Sequence, residues 1–494
     1  ILIFSIIFAV QYFFIINSHS LSNEWFTSAS DYNSLKFSKI EKINKDNVNN
    51  LELAWTYKNG FVPDKNSTFR NNNQATPIFT GKKLISSSMD GFVIAMNPQN
   101  GKEIWRTKIE QPSARRGFTY FEGNIFIPSG KGIYVLNEKD GTLNKNFGLD
   151  GLITNNKNSS SLSLVPPMVF EDKMIVAYIN SVVSHSIPSG KINWKVNLNG
   201  SRVWSGISYD KKNEKLVFVT SNLVNLLGNT NIKDDYSNSI VVVDGQTGQT
   251  DCKFKDTIHD HWDYDMVGNP IIINSNNSNL AYGFSKTGNI FVVNLPDCKL
   301  VNADHIQKIK TDSLSPIENQ TYSNYQIRIN NPENLMDLEY ELSSYLDYIS
   351  KDNENLDYVK HRTRNSKFGK SFIPLSLDYD PIVMGLHGGP EWPGGSYDFT
   401  NNQIIIPTNH YPWIIRSYYS CCLKNKPSAQ RKAQQYLIDL KHFNGNKIYK
   451  NKCSSCHQKR KKGKYESEFF GDTYIPNLSG VTLTKKGDSL NSLK

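Results

Sequence analysis

Cysteine is scarce in this 494-residue sequence: there are six, and no second cysteine pair follows Cys453 and Cys456. The absence of a second pair argues against a zinc site built from two such pairs. Clustered positive charge is also scarce, because the only dense basic run is KRKKGK at residues 459–464. The other basic residues are dispersed, so we interpret the net charge of +10 as a solvated surface with a basic rim for an acidic redox partner, and we predict no nucleic-acid binding.

Long apolar runs are missing apart from the opening one, which covers the 16 uncharged residues 1–16 and is followed by NSHSLSNEW. An apolar run that ends in small residues is typical of a cleaved export signal, and we assign residues 1–20 to it, with Ser18 and Ser20 before the cut. An uncleaved membrane anchor, which needs about 20 apolar residues, is the alternative. Neither an initiator Met nor a basic segment precedes the run, so we expect the sequence to begin inside a longer gene. Either interpretation predicts a periplasmic protein, attached to the membrane by its N-terminus in the second case.

A pattern of strands and turns recurs along the first two thirds of the chain. A turn-rich approach, an apolar strand, a turn and a second strand are followed by an Asn/Gly or acidic turn before a Trp or another apolar residue. The copies lie about 40 to 60 residues apart, at residues 76–105, 117–143, 166–194, 203–249 and 282–300, and their strands alternate with period two. This spacing predicts an all-β propeller in which each repeat is one four-stranded blade. A two-sheet sandwich is the alternative, but it would not need the turn and Trp to recur.

The repeat pattern is interrupted once and then ends. Residues 301–372 are polar, and we interpret them as an irregular insertion or lid; the pattern returns at residues 384–415, which gives five to six blades. The composition changes near Lys424. We therefore predict a propeller domain over residues 21–423 and a partial α-helical module over residues 424–494.

The strongest short motif is CSSCH at residues 453–457. Two thiols three residues apart and an adjacent His suit a covalently bound haem, with Cys453 and Cys456 on its vinyl groups and His457 on the iron. A thioredoxin-type redox pair is the alternative, but no βαβ pattern surrounds the motif. No Met follows His457, so the usual second axial ligand is missing and we expect a truncated cytochrome c module.

The other four cysteines allow more than one interpretation. Cys252 and Cys298 occupy comparable places in successive repeats, and in an exported protein they could form a disulfide or remain thiols. Cys421 and Cys422 are adjacent, and two ordinary thiols are a simpler interpretation than a vicinal disulfide.

Residues 203–288 place four chemically distinct side chains at strand ends: Trp204, Asn222, Asp263 and Lys286. An aromatic plate, an amide oxygen, a carboxylate and an ammonium at one mouth could hold a flat, acidic cofactor and a hard cation. Alternatively, Trp204 packs between sheets and Asp263 caps a turn.

Several segments together extend this interpretation: QATP at residues 74–77, RRGFTYFEGNIFI at 115–127, VWSGISYD, YSNSIVVVD, HDHWDYD, KTGNIFVV and HGGPEWPGGSYD. In this order and spacing they resemble the quinoprotein (pyrroloquinoline quinone, PQQ) dehydrogenases, in the branch that carries a c-type cytochrome. The resemblance implies an eight-bladed propeller, incomplete in this chain, that binds PQQ beside a Ca²⁺ in its central channel. It also implies oxidation of a small alcohol or a sugar.

The resemblance implies a role for each of the four side chains at the strand ends of residues 203–288. Trp204 is similar to the aromatic floor beneath PQQ, and Asn222, 18 residues later, to a Ca²⁺ ligand. Asp263 corresponds to the general base, which also contacts the metal, and Lys286 to the cation on the quinone oxygens.

Three further residues are carried over from the same resemblance. Arg116 is similar to a contact of a PQQ carboxylate, and Gln74 and Trp392 are candidates for the channel wall.

Two departures from the family pattern affect the metal and the substrate. The alcohol dehydrogenases have a vicinal cysteine pair before the RG motif, whereas this chain has QPSAR at residues 111–115. They also have a metal-binding Glu after the third-repeat strand, where this chain has AYINSVVSHS with only Asn180 as a substitute. We therefore expect a weaker Ca²⁺ site or Mg²⁺, and a substrate closer to that of the sugar (glucose dehydrogenase-like) branch.

The predicted electron path runs from PQQ to the haem of this chain and then to a soluble cytochrome or a respiratory-chain quinone. Two other functions remain as alternatives: a non-enzymatic propeller scaffold, and a reductase in which His259 and His261 bind a second, non-covalent haem in place of PQQ.

Overall fold

The structure is a computed structural model, and almost all regular structure in its described residues is β-strand. The named helical elements are two 3₁₀ turns, Val48–Asn50 and Ala303–His305. The described residues are 25–38, 40–62, 73–109, 116–154, 162–163, 165–223, 235–258, 260, 262–275, 278–311, 325–330, 335–336, 363–374, 379–385, 388–410, 412–415, 464–468 and 471–475.

Five antiparallel sheets follow one another along the chain, and in each sheet the order of the strands in space is their order in the sequence. Sheets one and two contain β1 (Ile78–Phe79), β2 (Leu84–Ser87), β3 (Phe92–Met96) and β4 (Glu103–Lys108), then β5 (Thr119–Phe121), β6 (Asn124–Pro128), β7 (Ile133–Asn137) and β8 (Leu152–Ile153). Sheet three contains β9 (Met168–Phe170), β10 (Lys173–Ser186) and β11 (Ile192–Arg202). Sheets four and five contain β12 (Ile207–Asp210), β13 (Lys215–Val219), β14 (Ser239–Asp244) and β15 (Thr250–Lys255), then β16 (Met266–Asn274), β17 (Asn279–Ser285), β18 (Ile290–Asn294) and β19 (Lys299–Leu300).

Successive sheets pack face to face, as β13 illustrates. Leu216 and Phe218 on one of its faces belong to the core shared with sheet three, whereas Val217 and Val219 on the other face belong to the core shared with sheet five. Since both faces of an internal blade are covered, its strands need β-branched and aromatic residues at nearly every position. The first strands of neighbouring sheets contact one another, so they line the centre of the arrangement. This confirms the propeller prediction.

The recurring Trp is the contact between the last strand of one sheet and the next sheet. The Trp105 indole of β4 donates to the Glu138 carbonyl at 3.0 Å and lies against Gly141. A Cβ on Gly141, which has φ +74°, would lie 2.4 Å from the ring. Trp194 repeats the contact with Gly248. A side chain at the turn glycine would collide with the indole, so the turn glycine and the Trp recur together.

An N-terminal strap, residues 25–36, crosses the first strands of several sheets. Its backbone carbonyls accept hydrogen bonds of 2.8 to 2.9 Å from the amides of Phe79, Tyr120, Tyr209, Ile272 and Tyr397. Each of these residues lies in the first strand of a sheet or in β25 (Ser396–Asp398), so the strap ties separate sheets together.

The region predicted to be an irregular insertion is not irregular throughout. β20 (Ile306–Lys310) and β21 (Tyr325–Ile329) form an antiparallel pair, and Ile306, Ile327 and Ile329 pack on the core of sheet five. Short strands follow: β22 (Ser366–Lys367), β23 (Asp380–Val383), β24 (Gly389–Pro390), β25, β26 (Gln403–Ile405), β27 (Thr408–Asn409) and β28 (Trp413–Ile414). They pair as β22–β23–β28, β24–β27 and β25–β26.

Cys252 and Cys298 form a disulfide between β15 and the turn before β19, across 46 residues. The sequence left this pairing open. The bond joins the outer parts of sheets four and five covalently.

The C-terminal module is described only at β29 (Lys464–Glu468) and β30 (Gly471–Ile475), an antiparallel pair. Residues 424–463 of the module predicted to be α-helical, with the haem motif of Cys453, Cys456 and His457, lie outside the described residues. The same holds for Cys421 and Cys422, and for His259 and His261 of the alternative haem site. The predicted export signal also lies outside the described residues. Within the part of the chain that is described, no helix has the length and apolar character needed to cross a bilayer.

Candidate active site

The predicted site residues lie at one end of the first strands. Trp204 precedes β12, Asp263 precedes β16, Asn222 follows β13 and Lys286 follows β17. In an antiparallel pair, the end of the second strand lies beside the start of the first. The four residues are therefore brought to the same rim of the channel by two neighbouring blades.

Lys286 is the centre of the site. Its ammonium, almost completely buried, donates to the Asp263 carboxylate at 3.0 Å, to the Asp263 carbonyl at 2.9 Å and to the Asp265 carboxylate at 3.1 Å. Burial alone would lower the pKa of Lys286, but the two carboxylates outweigh it and raise this pKa, so the side chain stays charged. Burial raises the pKa of Asp265, with Lys286 acting against that rise.

Trp204 forms an aromatic plate beside this charge. Its indole nitrogen donates to the Met266 carbonyl at 3.2 Å, which fixes the ring, and the Lys286 ammonium lies 5.4 Å from the ring centroid. The indole therefore contacts sheet five as well as the start of sheet four, and one of its neighbours is a buried cation.

Arg116 joins the remaining candidates to this plate. Its guanidinium lies 4.9 Å from the Trp204 ring centroid and 4.7 Å from the Trp392 ring centroid, and it also donates to the Trp204 carbonyl. Its Nε donates to Gln74 Oε1 at 3.1 Å. The structure therefore brings Gln74, Arg116, Trp204 and Trp392 into one cluster.

Asn222 and Asp263 are the two candidate metal ligands that the structure places together. Asn222 Nδ2 donates to Asp263 Oδ1 at 3.1 Å, so the two side chains are in direct contact. The backbone amide of Asn222 donates to Asp265 Oδ1 at 2.7 Å. An amide and a carboxylate are suitable ligands for a hard cation.

Asn180 is not joined to this pair. It lies on an exposed bulge of β10 with φ +73°, next to Ile179, which pairs with Arg202 in the adjacent strand. Among the described residues, the side chains of Asn222 and Asp263 form hydrogen bonds with each other and with Lys286 but not with Asn180. The described residues also contain no group of three or more His, Cys, Asp or Glu side chains arranged to hold a metal.

Asp265 is a site residue that the sequence reasoning missed. The signal was available in HWDYD, where a second carboxylate follows Asp263 by two residues. Lys36 was also missed: its ammonium donates to the carbonyl of Pro393, next to Trp392, from 357 residues away. No local pattern predicts that contact.

Comparison with known proteins agrees with this geometry. Residues 25–194 and 185–460 match the PQQ family described as glucose/ethanol/alcohol dehydrogenase, β-propeller domain. The chain belongs to this family. Residues 443–494 match the cytochrome c family, which confirms the predicted haem-bearing module in the same chain.

Curated relatives of known name are distant. Quinoprotein glucose dehydrogenase A of Acinetobacter calcoaceticus is 24% identical over 332 residues, which are 52% of this chain and 41% of the relative. The glycerol dehydrogenase large subunit of Gluconobacter thailandicus is 21% identical over 465 residues, 79% of this chain and 60% of the relative. This chain thus spans about two fifths of the length of the glucose dehydrogenase.

Solved structures support the fold. Quinohemoprotein alcohol dehydrogenase from Comamonas testosteroni superposes with a TM-score of 0.55 at 16% identity, over 79% of this chain and 58% of that one. A europium-containing methanol dehydrogenase gives a TM-score of 0.53 at 17% identity, over 78% and 69% of the two chains. At these identities the similarity establishes the propeller fold and no more.

The residues present fit PQQ, which is planar and acidic. The Trp204 indole offers a stacking face, and the two cations beside it, Arg116 and Lys286, suit carboxylate and quinone oxygens. For the metal, the side chains of Asn222 and Asp263 are in contact, and each carries an oxygen of the kind that a hard cation binds.

Proposed function

We propose that this protein is a periplasmic PQQ-dependent dehydrogenase that oxidises a hydroxyl of an alcohol or a sugar and transfers the electrons to its own haem c. One observation carries the proposal. The buried Lys286 ammonium binds the Asp263 carboxylate at 3.0 Å while lying 5.4 Å from the Trp204 ring centroid. An acid, a cation and an aromatic face therefore meet at one point of the channel rim.

Trp204, Arg116 and Lys286 are the residues that would hold PQQ, with Gln74 and Trp392 beside Arg116. When bound, PQQ supplies the acceptor for the two electrons removed from the substrate carbon. Arg116 offers donors to a carboxylate, and the Lys286 ammonium offers a donor to an oxygen on which negative charge develops.

Asp263 is the residue we assign as general base. Its side chain is 20% exposed whereas that of Lys286 is 2% exposed, so the carboxylate is the member of the pair that a substrate can reach. It would take the proton of the substrate hydroxyl at its carboxylate. Lys286 holds both the carboxylate and the carbonyl of Asp263, which fixes the direction of the base.

For the metal we propose Ca²⁺, with Mg²⁺ as the alternative, held by Asn222 and Asp263. A bound cation would add positive charge beside the base. Asn180 remains a further candidate ligand, although it is not in contact with the pair. Because a solved relative contains europium, reconstitution should include a trivalent lanthanide beside the two divalent ions.

A sugar or polyol is the substrate class that we favour. Two relatives are named as glucose dehydrogenases and another as a glycerol dehydrogenase, and all of them are distant. The missing cysteine pair before Arg116 also favours the sugar branch.

For electron transfer we propose a haem attached to Cys453 and Cys456 with His457 on the iron, and a soluble cytochrome or a membrane quinone as the next acceptor. The Cys252–Cys298 disulfide supports export, because such bonds persist in oxidising compartments.

The test is an absorbance spectrum and a dye-linked activity assay of the purified full-length protein, before and after addition of PQQ with Ca²⁺. We expect a covalent haem spectrum at the outset and dehydrogenase activity only after reconstitution. A haem signal that is lost on extraction with acidified solvent would favour a reductase with a non-covalent haem, and no response to PQQ would favour a scaffold.

A further inference from the structure

Asp256 is a buried carboxylate that lies outside the site described above. It follows β15, is 1% exposed and accepts hydrogen bonds from four side chains. Ser285 Oγ at 2.5 Å, Thr287 Oγ1 at 3.1 Å and Thr257 Oγ1 at 3.0 Å bind one of its oxygens, and Asn289 Nδ2 at 2.5 Å binds the other.

Three of these donors belong to the turn that carries Lys286. Residues 285–289 connect β17 to β18, and residues 285, 287 and 289 donate to Asp256. Lys286 lies between the first two and its ammonium contacts Asp263 and Asp265 instead. One side of the turn is therefore bound by a carboxylate, and the other side presents the cation of the site.

A carboxylate is an unusual group for this position, because burying it costs free energy unless donors surround it. Here the donors are supplied by the turn itself. If the carboxylate were removed, the hydroxyls of Ser285 and Thr287 would compete for the backbone groups of the same turn. The backbone bond from Lys286 N to the Asp265 carbonyl, 3.1 Å, is one of the contacts that would then loosen.

Asp256 does not hold the turn alone. Arg328 donates to the Thr287 carbonyl at 3.0 Å, and Asn289 Oδ1 accepts from the Ile329 amide at 2.8 Å. We therefore expect loss of Asp256 to displace Lys286 without unfolding the blade.

We propose that Asp256 is a positioning residue that fixes the Lys286 ammonium for PQQ, through the hydroxyls and amide of the 285–289 turn. The consequence for PQQ rests on the proposed function, whereas the effect on the turn does not.

The first test is a double-mutant cycle on PQQ binding, measured by tryptophan fluorescence quenching in full-length protein with Ca²⁺. A hydrogen bond to a charged group corresponds to an affinity change of about 10- to 100-fold, and because Asp256 acts indirectly we expect a loss of about tenfold for Asp256→Ala. Asp256→Asn, which keeps acceptor and volume, should restore most of the affinity. The variant Asp256→Ala/Lys286→Met should bind within about twofold of Lys286→Met alone.

Asp210→Ala is the matched control. Asp210 is also a fully buried carboxylate bound by main-chain and amide donors, from Lys212, Asn213 and Asn274, but it lies at the far end of β12 from Trp204. The variant Asp210→Ala should lower the free energy of unfolding and leave the PQQ affinity of the folded protein unchanged. Additive losses in the double variant, or unchanged affinity in Asp256→Ala, would overturn the inference.

The second test does not need PQQ. Hydrogen exchange of a peptide covering residues 283–290 should be at least about tenfold faster in Asp256→Ala than in wild type at sites such as the Lys286 amide, and unchanged in Asp210→Ala. Unchanged exchange in Asp256→Ala would contradict the positioning role even if PQQ binds. If wild type binds no PQQ, the proposed function fails, and the exchange rates still decide whether Asp256 holds the turn.

Discussion

The Lys286 ammonium holds Asp263 twice, through its carboxylate at 3.0 Å and through its main-chain carbonyl at 2.9 Å. Asp263 has φ +67°, a left-handed conformation that is uncommon for a residue with a side chain. The two bonds from one buried cation explain how this conformation is maintained. They also fix the direction in which the carboxylate points, which is what a general base requires.

Replacing Asp263 with Asn should abolish most of the turnover and leave PQQ bound. The amide keeps the size of the side chain but cannot accept the hydroxyl proton, and general-base catalysis contributes about 10²- to 10⁴-fold. Dye-linked turnover and a fluorescence titration with PQQ measure the two effects separately. Asp297→Asn, at an exposed carboxylate, is the control. Turnover within a few-fold of wild type would remove Asp263 from the catalytic role.

Lys286→Met should destabilise the protein by about 3–5 kcal/mol at pH 7, because it leaves two carboxylates of the site without their cation. Denaturant unfolding measures this change. Lys215→Met is a matched control, since Lys215 also pairs with two carboxylates, Asp244 at 3.1 Å and Asp251 at 2.8 Å, in a more exposed place. The variant Lys215→Met should lower the free energy of unfolding by only about 1 kcal/mol or less.

The pH dependence of Lys286→Met provides a second check. Burial already raises the pKa of Asp265 to about 6 with Lys286 in place, so without the cation this carboxyl should take up a proton more readily still. The deficit of the variant relative to wild type should therefore shrink as the pH falls from 7 to 5. A deficit that grows over this range would contradict the assignment.

The contribution of His185 to stability should decrease as the pH falls, which is opposite to the effect of Asp265. It is fully buried, with Nε2 3.1 Å from the Tyr178 hydroxyl and Nδ1 2.9 Å from the Gly190 carbonyl, and burial lowers its pKa. The unfolded chain therefore binds a proton more readily than the folded protein. The contribution of His185 to stability should therefore fall as the pH drops below about 6.5, by up to about 1.4 kcal/mol per pH unit.

Comparison of wild type with His185→Gln between pH 7.5 and 5.5 isolates this effect. Asp31, whose pKa burial raises to about 6, acts in the opposite direction but is present in both proteins. As the pH falls, wild type should therefore lose stability relative to the variant. Parallel curves for the two proteins would show that His185 does not cause it.

The Cys252–Cys298 disulfide should stabilise the propeller by about 4 kcal/mol on the chain-entropy estimate for its 46-residue separation. The double variant Cys252→Ser/Cys298→Ser should unfold at a correspondingly lower denaturant concentration. Wild type treated with a reductant should unfold at the same concentration, whereas the reductant should not change the double variant. Equal stability of oxidised and reduced wild type would contradict the expected contribution.

The sequence was informative where structure is local and repeated. The alternation in β13 and the recurring Trp indicated blades, and the positions of Trp204, Asn222, Asp263 and Lys286 at strand ends indicated a common rim. Each of these signals depends only on the period of a strand and on the antiparallel return of the chain.

Other features depend on contacts between distant segments, and no local pattern contains them. The strap that crosses several sheets, the Lys36 contact with Pro393 and the packing of β20 and β21 on sheet five arise only once the blades are arranged around a centre. The interpretation of residues 301–372 as an irregular insertion missed the β20–β21 pair for this reason. Polar composition hid a hairpin whose Ile residues pack on a neighbouring blade.

The most direct test of the account is a crystal structure of the full-length protein with PQQ and Ca²⁺ bound. We predict that the quinone stacks on the Trp204 indole, with the Lys286 ammonium on its oxygens and the metal between Asn222 and Asp263. A structure in which PQQ binds elsewhere, with neither Trp204 nor Lys286 in contact with it, would contradict the account.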